Sequence, residues 1–266
     1  MTTENITEQV QGGTQGIEVL LLGTADAFNT GGRANSAYWV TDRIGQYVVD
    51  FGPTALIQSQ RYGKNLSDLD AIYLTHLHGD HIGGLPMLLL HSHYDLGRRK
   101  PLKIVGPPST EEFLARLWRA TYPSTTKRKL SFDVSIDVWK TDTQQSHGDR
   151  TITTIPAVHA IEAEPHSLKI EMDGTSIGFS GDTGWQDNLG CFTKDCALFV
   201  CEATNPESGF WGHLSVEEHR WHRDAMTPNQ LVLSHMTEAA KLQAIADAPT
   251  YGWIVGEDGM TLTVGA

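Results

Sequence analysis

The sequence predicts an α/β fold of four layers, with two β-sheets packed face to face and helices outside. Three observations carry this. Short apolar runs with strand character arrive in two batches, each followed by helical segments. No Pro/Ser-rich linker or low-complexity stretch divides the chain. Its 266 residues can bury a substantial core without disulfides. A flexible tail over 1–16 and a single domain over 17–266 are expected.

The elements follow in order. Ile17 to Leu22 is aliphatic apart from Glu18 and ends at Gly23, a buried strand and turn. Ala37–Val40 and Gln46–Asp50 read as a hairpin around Asp42-Arg43-Ile44-Gly45. Thr54 to Arg61 is a short helix after Pro53. Ala71-Ile72-Tyr73-Leu74 is a buried strand, Leu85–Leu96 a helix and Lys103-Ile104-Val105 a strand. Ser109 is expected to cap a helix from Thr110 to about Ala120, with Glu111 and Glu112 in its first turn. The second half repeats this grammar. Strands are expected at Thr151–Ile155, Ser167–Met172, Ser176–Ser180, Ala197–Cys201 and Leu231–Ser234, with a hairpin at Asp173-Gly174. Ser215 and Glu218 form a capping box for a helix to about Asp224, and Thr237–Ala246 is a last helix.

The formal net charge of −12 disfavours non-specific binding to nucleic acid or anionic membranes. Two basic runs, Arg98-Arg99-Lys100 and Lys127-Arg128-Lys129, read as solvated loop or helix ends. Cys191, Cys196 and Cys201 fit neither a disulfide framework nor a zinc finger, so buried reduced thiols are expected. Met1 to Gly16 holds no apolar core of a signal peptide, and Leu85–Leu90 is too short to span a bilayer. A cytoplasmic protein without membrane partners is the expectation.

The densest chemical signal is Thr75-His76-Leu77-His78-Gly79-Asp80-His81. Three imidazoles and a carboxylate follow a buried strand, and Gly79 and Gly83-Gly84 favour a tight loop. These are ligand types for zinc and related metals. Three further metal-type side chains each sit just past an apolar run: His159, Asp182 and His235.

With these residues in place the chain resembles the metallo-β-lactamase-fold hydrolases from Ile17 to its last strand. It is most similar to their ribonuclease Z and phosphodiesterase branch. The run His76-Leu77-His78-Gly79-Asp80-His81-Ile82-Gly83-Gly84-Leu85-Pro86, the segment Cys201-Glu202-Ala203-Thr204 and the segment His213-Leu214-Ser215 carry the resemblance. It implies a four-layer αββα sandwich and a dinuclear site. His76, His78 and His159 would hold one metal, Asp80, His81 and His235 the other, and Asp182 would bridge them. Zinc is the default metal, with manganese or iron as alternatives. Asp50 resembles the family's carboxylate that accepts an N–H from a ligand histidine.

The resemblance further implies a metal-bridging hydroxide as nucleophile and Asp80, His213 and Glu202 as catalytic residues. His213 would protonate the leaving group and Glu202 would fix its tautomer. The chain also departs from the ribonuclease Z pattern. Only 23 positions separate His159 from Asp182, where bacterial ribonuclease Z carries a long tRNA-gripping arm. After His235 comes Met236-Thr237-Glu238 rather than a nearby Arg-Tyr. These departures and the charge point away from tRNA and toward a small or short oligonucleotide phosphodiester; a homodimer is left open. The alternatives are an ester-type hydrolase (lactonase, thioesterase or arylsulfatase-like) and a non-catalytic metal-binding assembly protein. His91 and His93 read as exposed helix-end residues. Trp185 and Trp211 read as either pocket walls or packing residues.

Overall fold

The computed structural model describes residues 16–125, 127–140 and 143–265. The expected tail lies outside the described residues apart from Gly16. The first half lays down β1 (Ile17–Gly23), β2 (Ala37–Asp42), β3 (Gly45–Val49), β4 (Leu69–Tyr73), β5 (Leu102–Gly106) and β6 (Val134–Val138). Between them run α1 (Ala55–Arg61), α2 (Gly79–Ile82), α3 (Leu85–Tyr94) and α4 (Thr110–Thr121). The second half adds β7 (Gln144–His147), β8 (Arg150–Pro156), β9 (His166–Met172), β10 (Thr175–Phe179), β11 (Leu198–Glu202), β12 (Leu231–Ser234), β13 (Ile254–Val255) and β14 (Thr261–Val264). Its helices are α5 (Asp187–Thr193), α6 (Val216–Trp221) and α7 (Glu238–Tyr251).

The strands form two seven-stranded mixed sheets, ordered β14-β1-β2-β3-β4-β5-β6 and β13-β12-β11-β10-β9-β8-β7. The sheets share one design. β1–β2–β3 and β8–β9–β10 are antiparallel meanders, each continued by parallel strands, β4 to β6 and β11 to β13. β14 returns to pair antiparallel with β1.

Strand alternation builds the layers. Val19, Leu21, Tyr47, Val49 and Tyr73 point into the space between sheets, against Ile170, Ile177, Phe179, Val200 and Val232. Leu20, Leu22, Val48 and Ile72 point the other way, onto Leu56, Leu85, Leu88 and Leu114 of the helices. On the second sheet, Phe199, Cys201, Leu231 and Leu233 meet Leu189, Val216, Ala240 and Ala244. Strands covered on both faces read as continuous apolar runs, which is why they were legible.

Several local expectations change. Ser109 does not cap α4: its hydroxyl and amide both donate to the Glu164 carboxylate, at 2.7 and 2.9 Å. The predicted loop after His78 contains the single turn α2. α3 stops at Tyr94 and α6 at Trp221, short of expectation, while α7 continues to Tyr251 and ends at Gly252 in the left-handed region (φ 72°). Arg98 is not a solvated end. It is buried, and its guanidinium donates to the carbonyls of Leu66, Leu69, Lys100 and Pro101, which ties the β4 approach to the β5 approach. Cys196 and Cys201 are buried as expected, but Cys191 is exposed. Among the described residues no helix is long and apolar enough to cross a membrane.

One buried ion pair joins the two sheets. Arg150, at the start of β8, donates from Nε and Nη2 to the Asp42 carboxylate at the end of β2, at 2.7 and 2.9 Å. The guanidinium also lies 4.6 Å from the Tyr47 ring centre. Removing one partner strands a buried charge. Arg150→Met is therefore expected to destabilise by about 3–5 kcal/mol. Calorimetry should show a lower Tm, with partial recovery in the Asp42→Asn/Arg150→Met double variant.

Candidate metal centre

The topology brings the C-terminal ends of β1, β3, β4, β8, β10, β11 and β12 to one edge of the sandwich. Ligands gather at that edge in open α/β sheets because the loops leaving parallel strands meet there. Asp50 follows β3, His76 and His78 follow β4, and His159 follows β8. Asp182 follows β10, Glu202 ends β11, and His235 follows β12.

α2 makes the β4 loop compact. The amides of His81 and Ile82 donate to the His78 carbonyl at 3.0 and 3.1 Å, so Asp80 and His81 turn back beside His76. This turn sits directly on the loop after β3: Phe51 N donates to His81 O at 2.7 Å and Gly84 N to Phe51 O at 3.0 Å. The contact needs glycine on both sides. A Cβ at Gly52 would lie 1.8 Å from the Asp80 carbonyl oxygen, and one at Gly84 would lie 2.2 Å from the Gly52 carbonyl oxygen.

All seven predicted ligands come together. His76, His78, His159 and Asp182 form one cluster, and Asp80, His81, Asp182 and His235 a second. Within each cluster the candidate donor atoms lie within 4.8 Å of one another. Asp182 belongs to both. Its oxygens stand 3.6 Å from His76 Nε2, 3.3 Å from His81 Nε2 and 3.4 Å from His235 Nε2. Asp80 stands 3.1 Å from His81 Nε2 and 3.4 Å from His235 Nε2.

The far side of the rings explains their orientation. His81 Nδ1 donates to Asp50 at 2.7 Å and His159 Nδ1 donates to the Gly212 carbonyl at 2.7 Å. The Thr75 hydroxyl donates to Asp50 at 2.7 Å and lies 3.0 Å from His76 Nδ1. The Thr204 hydroxyl donates to Glu202 at 2.6 Å and lies 2.9 Å from His235 Nδ1. Each of these four imidazoles thus spends its Nδ1–H outward and keeps Nε2 inward, the pattern of an oriented metal ligand. His76 Nε2 and His81 Nε2 are buried without any hydrogen bond. Orphaned inward nitrogens beside carboxylates fit divalent cations.

The electrostatics are those of a metal-free cluster in which ionised carboxylates attract positive charge. Burial, reinforced by His81, pushes the His76 imidazole well below its usual pKa, and burial also lowers His159, so both are neutral lone-pair donors. Burial opposes ionisation of Asp80 and Asp182, yet neighbouring imidazoles outweigh it and hold both carboxyls below their ordinary values. His81 is raised against its burial by Asp182, Asp80 and Asp50. Asp50→Asn should weaken metal affinity about 10–100-fold by loosening His81. Zinc competition with a chelator measures it.

Glu202 and His213 form a third group with His235. His213 Nδ1 donates to Glu202 Oε1 at 2.8 Å, and that oxygen also accepts from Thr183 N at 2.6 Å. The His213 ring lies 4.7 Å from that of His159 and 5.5 Å from that of His235. Burial works against its protonation, but Glu202 prevails and pushes its pKa up to about 9. The Ser215–Glu218 capping box fixes the start of α6 just beyond it.

Sequence reasoning missed Thr75 and Thr204. Their one visible signal was a hydroxyl residue at a strand end beside a ligand-type side chain. It also missed His219, which is buried with Nε2 donating to the Glu202 carbonyl at 2.7 Å. His91 and His93 lie away from the cluster and contact Asp95 and Ser131. Trp185 packs flat on His222, 3.6 Å between ring centres, whereas Trp211 is exposed.

Comparison with known proteins matches this architecture. A ribonuclease Z of Mycobacterium bovis is 31% identical over 183 residues, covering 65% of each chain. The chain therefore spans less than two thirds of that relative. The metallo-β-lactamase-fold protein YhfI of Bacillus subtilis superposes with a TM-score of 0.75 at 20% identity, over 94% of this chain and 99% of that one. A diphosphatase of the PhnP family superposes with a TM-score of 0.75 at 15% identity, over 92% of this chain and 97% of that one. Residues 17–205 match the family model described as anti-Pycsar protein Apyc1. Since that match takes in most of the chain, with six of the seven candidate ligands and Glu202 though not His213 or His235, the protein belongs to the Apyc1 family within the metallo-β-lactamase fold.

Proposed function

We propose that this chain is a dinuclear metal-dependent phosphodiesterase acting on a compact phosphodiester. The observation that carries the reading is the His213–Glu202 pair, hydrogen-bonded at 2.8 Å and set against the edge of the ligand cluster. In phosphodiester displacement the bond to a poor alkoxide breaks in the transition state itself, where a general acid helps most, whereas attack on a carbonyl ester or lactone can precede loss of the alkoxide. The ribonuclease Z and diphosphatase relatives support phosphorus as the electrophile.

His76, His78, His159 and Asp182 would hold one ion, and Asp80, His81, Asp182 and His235 the other. When bound, such a pair supplies Lewis acidity toward phosphoryl oxygens and a hydroxide nucleophile near neutral pH. The rest falls to the chain. With Nδ1–H bound to Glu202, His213 presents Nε2 toward the cleft. Its protonated form gives that proton to the departing oxygen, and the Glu202 carboxylate stabilises the imidazolium beforehand. The interval from His159 to Asp182 is filled by the short 3-10 turn at Ile161–Ala163, β9 and β10. It leaves no room for an arm that grips a large RNA, which supports a small substrate such as a cyclic nucleotide, a cyclic ribose phosphate or a short oligonucleotide.

The test is a substrate panel on metal-analysed protein: bis(p-nitrophenyl) phosphate, cyclic nucleotides, tRNA precursor, p-nitrophenyl acetate and a lactone. Two equivalents of metal with phosphodiester turnover are expected. Turnover of the carbonyl substrates alone would reject the reading.

A further inference from the structure

The residue after β12, His235, adopts φ 53°, in the left-handed region that a side chain bearing a Cβ rarely occupies. Such a conformation persists only where its surroundings over-determine it. Here the pinning is visible on the next residue. Met236 is fully buried, its amide donates to the Thr24 carbonyl at 3.0 Å, and its own carbonyl accepts from Arg33 Nη2 at 2.5 Å. Arg33 Nη1 reaches the Thr24 carbonyl at 3.1 Å. One guanidinium therefore clamps the strand end after β1 to the strand end after β12. Its side chain is 10% exposed, and among the described residues its one acidic neighbour within ion-pair distance is Glu238, at 3.8 Å. Among the described residues its hydrogen bonds and ion pair go to Thr24, Met236 and Glu238, none of them a candidate ligand.

We infer that Arg33 is a positioning residue for the second metal site, holding the strained His235 backbone in the conformation that aims Nε2 at Asp80 and Asp182. The inference rests on the dinuclear reading above but not on the choice of substrate. The guanidinium is suited to the task because its planar fork presents fixed donors to two carbonyls, whereas an ammonium is a compact head on a flexible stem. On the ring side, Thr204 fixes the imidazole through Nδ1. Arg33 fixes the backbone, so the two constraints are separate.

The test is a calorimetric zinc titration of metal-free protein, comparing wild type, Arg33→Met, Arg33→Lys, His235→Ala and His78→Ala. Arg33→Met keeps an apolar stem up to the position of Nε and removes every donor. It should weaken one of the two zinc-binding steps about tenfold, the loss expected when a ligand's supporting contact is removed. The affected step should be the one abolished by His235→Ala and spared by His78→Ala. Arg33→Lys, which can still reach one carbonyl, should fall between. Saturating zinc should restore most of kcat in Arg33→Met. A lower Tm with both zinc steps unchanged would make Arg33 a merely structural residue and overturn the inference. So would equal weakening of both steps. Two tight zinc ions without phosphodiester turnover would overturn the substrate reading alone; uptake of a single ion by wild type would overturn both.

Discussion

Replacing His213 by alanine is expected to lower kcat about 10²–10⁴-fold on a phosphodiester with an alkoxide leaving group, with metal content unchanged. The imidazole bonds to Glu202 and to no carboxylate of the two candidate metal clusters, so on the proposed reading its loss removes a proton source rather than a ligand. The effect should depend on the leaving group. p-Nitrophenolate departs without protonation, so bis(p-nitrophenyl) phosphate should lose much less than a cyclic nucleotide. A uniform loss across leaving groups would mean that His213 binds substrate rather than protonating it. The pH profile gives a second readout. Glu202 pushes the imidazole up to about 9, and two nearby dications would draw it back toward its usual 6.5. Activity should therefore fall as pH rises through a midpoint between these values, because the acid form is lost. His213→Ala should abolish that alkaline limb.

Asp182→Ala should be more damaging to metal binding than any other single change. Asp182 is the one residue common to both clusters, and its oxygens lie within 3.6 Å of nitrogens on His76, His81 and His235. Without it, three buried imidazoles face one another with Asp80 as the remaining carboxylate among the cluster ligands. Like-charge and desolvation costs then oppose two dications together. Loss should exceed the roughly 10–100-fold cost of removing an outer partner such as Asp50. Metal analysis should show fewer than two ions, and turnover should fall in parallel. Retention of two tight ions in Asp182→Ala would end the shared-carboxylate assignment.

The strands most plainly legible in the sequence are those covered on both faces. Ile17–Gly23, Leu69–Tyr73, Leu198–Glu202 and Leu231–Ser234 carry apolar residues on every side because a sheet faces them on one side and helices on the other. β7 is Gln-Gln-Ser-His, with no apolar residue, and is a strand only because β8 pairs with it. β13 has two residues and depends on β12 in the same way. Local pattern cannot report an element whose stability comes from its neighbour. Ser109 fails as a cap for a related reason: Glu164, 55 positions away, takes its hydroxyl.

The site divides along the same line. The ligand types were legible because metal chemistry restricts them to imidazole and carboxylate, and because each follows an apolar run: His76, His78, Asp80, His81, His159, Asp182 and His235. Of what holds them, Asp50 alone was anticipated, through the family resemblance. Thr75 and Thr204 are ordinary residues until folding places one hydroxyl between His76 and Asp50 and the other between His235 and Glu202. Arg33 shows no pattern at all until β1 and β12 end side by side. The sequence by itself determined the fold and the candidate residues of the site, since hydrophobic periodicity and ligand chemistry are local properties of the chain. The tertiary structure alone decided which nitrogen of each ring faces inward and which backbone is clamped. Those depend on hydrogen bonds between strand ends that folding brings together, within one sheet for His81–Asp50 and His235–Thr204 and across the two sheets for Arg33.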